Sequence, residues 1–134
     1  MFGTDVRAWF PVFQARIRHL AGLADGWDGE GSPPVDPAIL SSAESLVRRL
    51  LPDWSGSHEP LDCYADIPVP FASPISGGTL QLEWRSDRRY LEMEFLDKDT
   101  VAFLFRENGR LENGRMGVQS TADIRRLLDR FAAP

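Results

Sequence analysis

Cysteine is almost missing from this chain. Cys63 is the only one in 134 residues, which excludes an intramolecular disulfide and a cysteine-rich metal site. Lysine is equally scarce: of fifteen basic residues, Lys98 alone is lysine and the other fourteen are arginine. Genome composition explains such a bias, since the two residues have near-equal propensities on exposed helix faces. A need for bidentate recognition of carboxylate or phosphate would produce it too, and composition does not separate the two. Histidine occurs only at 19 and 58, not at a metal-ligand spacing. A Gly-x-Ser-x-Gly elbow, a Walker loop and a Gly-x-Gly-x-x-Gly fingerprint are all lacking. No apolar run approaches the roughly 18 residues needed to span a bilayer. The stretch Met1 to Arg18 is broken by Asp5, Arg7, Arg16 and Arg18, unlike a signal peptide, so a cytoplasmic protein without a membrane partner is expected. Positive charge is not in excess either. Fifteen basic against twenty acidic residues leave a net charge of −5, which removes the whole-domain basic field of a typical nucleic-acid binder.

What remains is ordinary globular material, 43% apolar and 26% charged, in a length that suits one domain with one core over residues 1–134. Phe10, Phe13, Ile17 and Leu20 form a helical stripe in a segment from about Thr4 to Leu23. Pro11 either opens that helix or kinks it. Asp25 to Pro34 is a loop by its glycine, aspartate and proline content. Asp36 before Pro37 reads as an N-cap and first helical residue. Ile39, Leu40, Ala43, Leu46, Val47, Leu50 and Leu51 then carry a second helix to Pro52. Five prolines between 52 and 74 mark a connector laid over the domain, in which Ile67 to Phe71 is at most an edge strand.

After Gly77-Gly78 the period changes to two. Leu80, Leu82 and Trp84 alternate with Thr79, Gln81, Glu83 and Arg85, and Leu91, Met93 and Phe95 alternate in the next run. A two-residue turn at Ser86-Asp87 pairs Arg85 with Arg88, Leu82 with Leu91 and Leu80 with Met93, all apolar residues sharing one face. A third strand, Thr100 to Arg106, is apolar on both sides, with Val101, Phe103 and Phe105 on one and Ala102 and Leu104 on the other. Asn108-Gly109 and Asn113-Gly114 are both tight-turn signals, with a brief strand at Arg110 to Glu112 between them. Ser120 or Thr121 caps a last helix with the stripe Ile124, Leu127, Leu128 and Phe131. The expected class is α+β: two N-terminal helices, an antiparallel sheet of three to four strands and a C-terminal helix, in the order α-α-β-β-β-α.

Few residues carry chemistry. Cys63 with His19 or His58 would form a nucleophile pair only through the fold, and a lone cysteine more often behaves as a small hydrophobe. Glu83, Glu92 and Glu94 share one sheet face, where carboxylates bind a divalent ion or raise one another's pKa values. The plainer reading, a solvated antiparallel face with Arg85 and Arg89 close by, is preferred. The loop Asp25 to Gly31 lacks the ligand pattern of a calcium loop. Trp27 either packs back over the helix ends or anchors a partner. No catalytic residue, metal or cofactor is implied.

Gly26-Trp27-Asp28-Gly29, a proline and an amphipathic helix, followed by Gly77-Gly78-x-Leu80-x-Leu82-Glu83-Trp84 and the strand Leu91-Glu92-Met93-Glu94, resembles a group of small uncharacterised bacterial proteins. They share a Gly-Trp-Asp-Gly loop and a Gly-Gly-x-x-x-Leu-Glu-Trp hairpin. The resemblance runs from about Leu20 to Phe105. It implies bacterial or phage origin, a compact α+β fold and an association with toxin-neutralisation or phage-defence assemblies, and it assigns no catalytic residue.

Three functional classes follow. The leading one is a non-enzymatic protein-interaction module, in which Trp27, Trp84 and Phe103, with Arg85, Arg88 and Arg89, meet a protein partner or a second copy of the chain. Its warrant is that Trp84, Phe95, Phe103, Leu104 and Phe105 offer more apolar surface than three strands and a helix bury. The second is a nucleic-acid-binding accessory, using Arg85, Arg88 and Arg89 at a hairpin tip, Arg106, Arg110 and Arg115 close by, and Tyr90 for stacking. The third is a metal-dependent hydrolase using Glu83, Glu92, Asp62 or Asp66.

Overall fold

Alternation of apolar and polar residues from Thr79 onward decides most of the architecture, because a strand sends successive side chains to opposite faces. The computed structural model describes residues 6–50 and 69–133. In chain order these form α1 (Val6–Ala21), α2 (Pro37–Leu50), β1 (Phe71–Ile75), β2 (Thr79–Arg85), β3 (Arg89–Phe95), β4 (Thr100–Glu107), β5 (Arg110–Gly117) and α3 (Thr121–Ala132). The strands make one sheet in the order β1-β2-β3-β4-β5, antiparallel throughout. The class is α+β as expected, but the sheet has five strands instead of three to four.

Each extra strand corrects a local reading. The end of the proline-rich connector is β1, with Pro74 opposite Leu80; residues 52–68 of that connector, with Trp54, lie outside the described residues. An edge strand tolerates this proline because one side of it has no ladder to feed. At the other edge, Asn108-Gly109 is the turn that sequence signals suggest, with φ of 50° and 77°, the left-handed pair of a type I′ hairpin. Asn113-Gly114 is not a turn. It lies inside β5, where Gly114 faces Phe103 of β4. A Cβ there would stand 3.0 Å from Phe103 Cε1, so this glycine makes room for a ring.

The β2–β3 register also differs from the expected one. Ser86 N–H donates to the Arg89 carbonyl at 2.9 Å, placing Asp87-Arg88 at the turn centre and pairing Arg85 with Tyr90, Leu82 with Met93 and Leu80 with Phe95. Sliding the turn by one residue moves the pairing by two. Because the side-chain period is also two, every residue keeps its face. Leu80, Leu82, Trp84, Leu91, Met93 and Phe95 are all buried on the same side.

Three helices cover that side, with α1 against β1, α2 against β2 and α3 against β3. The stripes Phe10, Phe13, Ile17 and Leu20, then Ile39 to Leu50, then Ile124, Leu127, Leu128 and Phe131, are buried as their spacing requires. Pro11 lies inside α1 instead of opening it, exposed to solvent. Asp36 caps α2 by accepting the Ala38 N–H at 2.8 Å. Arg49 of α2 donates to the Val118 carbonyl at 2.8 Å and reaches Thr121 Oγ1 at 3.3 Å, which fixes where α3 begins. Among the described residues no helix is long and apolar enough to cross a membrane.

Candidate functional site: the uncovered sheet face and its arginine end

Among the described residues all three helices lie on one side, and no described element covers the other face of the sheet. Register assigns Phe71, Ser73 and Ile75 of β1, Thr79 to Arg85 at alternate positions of β2, Tyr90, Glu92 and Glu94 of β3, Ala102, Leu104 and Arg106 of β4, and Leu111, Asn113 and Arg115 of β5 to this face. Its apolar side chains stand mainly at the two edges. Phe71 is 60% exposed and Leu111 58%, with Ile75 of β1 and Leu104 of β4 half-buried. The middle is charged and ordered by contacts on the sheet itself.

That middle is built in two rows. In one, Arg85, Tyr90 and Arg106 are cross-strand neighbours, and the Arg85 and Arg106 guanidinium carbons lie 5.0 and 5.1 Å from the Tyr90 ring centroid, within cation–π range. In the next, Glu83 stands directly opposite Glu92, an arrangement unfavourable for bare like charges. Partners offset it: Glu83 pairs with Arg85, and Tyr90 donates its hydroxyl to Glu92 at 2.6 Å. Burial first, and then the Glu92 and Glu83 carboxylates, push the Tyr90 hydroxyl well above the usual tyrosine range. Glu94 accepts from Thr79 Oγ1 at 2.8 Å. Among the described residues no group of three or more histidine, cysteine, aspartate or glutamate side chains is placed to hold a metal ion. Cys63, His58, Asp62 and Asp66 lie outside the described residues, and His19 is an exposed residue of α1.

The β2–β3 and β4–β5 turns come out at the same end of the sheet and bound a cavity of about 400 Å³, lined by Arg85, Ser86, Arg88, Tyr90, Arg106 and Asn108 among others. Arg89 touches this cavity but is committed elsewhere. Its side chain, 11% exposed, pairs with Glu107 at 2.6 Å and donates to the Phe131 carbonyl at 3.1 Å and to that of Ala133. A cation at the end of α3 satisfies the orphan carbonyls of the last turn and complements the helix dipole. Arg89 is therefore a helix cap and not a partner-facing residue, and it holds the Glu107 carboxyl below its usual range. Arg85 and Arg88 are exposed as expected.

Two of the aromatic candidates are corrected as well. Trp84 is a core residue, 3% exposed beneath the helices. Phe103 faces the same covered side, half-buried and packed against that core. The surplus apolar surface assigned to Trp84, Phe95, Phe103 and Phe105 disappears because three helices pack on that face. Trp27 is half-buried in its loop and donates its indole N–H to the Pro33 carbonyl at 2.8 Å. Asp28 beside it accepts from the Ser32 hydroxyl and from the Glu30 and Ser32 N–H groups; these bonds, the hydroxyl's first, hold its carboxyl below the usual range. The loop meets the Gly77-Gly78 turn, where Asp36 N–H donates to the Gly78 carbonyl at 3.1 Å. The segment that follows the first motif thus meets the second, at the opposite end of β2 from the arginines. Trp27 and the arginine row do not form one site.

Phe71 and Leu111 were invisible as surface residues in the sequence. Phe71 follows two prolines, and Leu111 sits between two turn signals. Only the pairing of β1 and β5 places both on the face opposite the core, where Phe71 keeps one helix contact, the Arg16 guanidinium of α1 at 5.6 Å from its ring centroid. The chain matches no family model, no curated protein and no solved structure.

Proposed function

We propose that this protein is a non-enzymatic, bacterial protein-interaction module that binds another protein through the uncovered face of its sheet. The observation that supports this reading is the one-sided layering itself, which leaves Phe71 and Leu111 exposed on the two edges of a face whose charged centre is already ordered. Such a face, apolar at intervals and carrying both signs of charge, is complementary to a folded protein surface more than to a polyanion. The nucleic-acid reading keeps Arg85, Arg88 and Arg106, but loses Arg89 to the helix cap, and Tyr90 already has two guanidinium groups over its ring. The setting in a toxin-neutralisation or phage-defence assembly rests on the motif resemblance alone.

A photo-reactive benzoylphenylalanine placed at Phe71 or at Leu111 should trap one adduct of defined mass in the cells that express the protein. The same group at Ala15, exposed on α1, should trap none. Equal labelling from all three positions, or none from the sheet face, sinks the reading.

A further inference from the structure

Of the four arginines around the cavity between the two hairpin turns, Arg89 is neutralised by Glu107 and Arg85 by Glu83. Arg88 and Arg106 are exposed, and neither makes an ion pair with a described residue. Two guanidinium groups that make no ion pair with a described residue therefore line one concave place in a chain whose net charge is −5, with Arg88 acting on Glu107 only at longer range. Arg106 is also oriented in advance. It lies over the Tyr90 ring, and that ring is held by the bond from its hydroxyl to Glu92. A guanidinium held within cation–π range of a ring is ordered before a ligand arrives and still has N–H donors to offer a carboxylate fork. Ser86 and Asn108 on the two turns add hydroxyl and amide groups to the lining. The second cavity of similar size, about 410 Å³ beside β5, lacks a pair of such arginines: Arg130 is paired with Glu112 at 3.1 Å, and Arg110 shares the lining with two carboxylates, Glu107 and Glu112.

We propose that the cavity between the β2–β3 and β4–β5 turns is a carboxylate-binding site, in which Arg88 and Arg106 take an acidic side chain of the protein partner. This rests on the reading of the sheet face as a protein-binding surface and names the chemistry at one end of it. The ligand is a single carboxylate in an acidic segment and not a nucleic-acid backbone. Asp87 on the rim and the row of Glu83, Glu92 and Glu94 next to the arginines repel an extended chain of phosphates. Removing either free guanidinium leaves the carboxylate with one charge-assisted partner instead of two.

The test is a titration of the whole protein with hexaglutamate peptide at low salt, followed by amide chemical shifts, with hexaglutamine, inorganic phosphate and a twelve-nucleotide oligothymidine as parallel probes. Hexaglutamate should give saturable shifts centred on Ser86 and Gly109. Arg88→Gln and Arg106→Gln should each weaken it about tenfold, and Arg126→Gln, exposed on α3, should leave it unchanged. Arg88 is an exposed turn residue, so its variant keeps the test valid if removing Arg106 disturbs Tyr90. The proposal is overturned if no saturable shift is seen up to about 10 mM peptide, if all three arginine variants bind alike, or if oligothymidine or phosphate binds the site more tightly than hexaglutamate. Failure here with position-specific cross-linking from Phe71 intact removes the carboxylate site and leaves the protein-binding face. Hexaglutamate binding without such cross-linking supports the site and removes the face.

Discussion

Asp28 shows how a short polar side chain holds a loop whose own apolar content is one tryptophan. Its carboxylate accepts from Ser32 and Glu30, and these bonds favour the charged form, so its folded pKa lies below the ordinary 3.8. A depressed acid contributes stability that is complete above the unfolded pKa and is lost as pH falls through the folded one. The thermal midpoint of Asp28→Asn should therefore lie below that of the parent protein at about pH 6, and the gap should close as pH falls below about 4. A gap that stays constant over that range would show that the carboxylate charge is not what holds the loop. Trp27 makes the complementary point. Its indole N–H is satisfied within the loop by Pro33, which fits the structural of its two readings from local sequence.

At the scale of elements, the two Asn-Gly pairs are identical in sequence and opposite in role. Gly109 adopts φ of 77°, which costs an L-residue roughly 1–2 kcal/mol, so Gly109→Ala should destabilise by about that amount wherever it is measured. Gly114 leaves space for Phe103, and Gly114→Val should cost about 1–3 kcal/mol through overpacking. The two costs separate in a Phe103→Ala background, where the Gly114→Val penalty should shrink and the Gly109→Ala penalty should not. Chemical denaturation of the two double-mutant cycles that share the parent and Phe103→Ala reads this directly. An unchanged Gly114→Val penalty would mean the ring is not the cause. The sequence signal for a turn holds at Asn108-Gly109 and fails at Asn113-Gly114, where pairing with the neighbouring strand decides. The same holds for the β2–β3 hairpin, where alternation assigned each residue to its face and left the register open to a slip of two.

For the whole molecule, covering one side of the sheet with three helices changes what is left for assembly. Trp84, Phe95 and Phe103 belong to or pack on the core, so Phe103→Glu should unfold the chain and not dissociate a dimer. The uncovered face has a charged centre, and interfaces between permanent copies are more apolar than that. The isolated protein should accordingly scatter light as a monomer of 15.1 kDa at micromolar concentration, and a mass near twice that value would return the face to a second copy of the chain. Helix stripes, the cap at Asp36 and the period-two runs were determined by the sequence alone, because each depends on residues within one turn or one strand of each other. The number of strands, the register, the withdrawal of Arg89 to cap α3 and the meeting of Arg88 with Arg106 were decided only by the tertiary structure. Those depend on pairings between residues far apart in the chain, which no local period encodes.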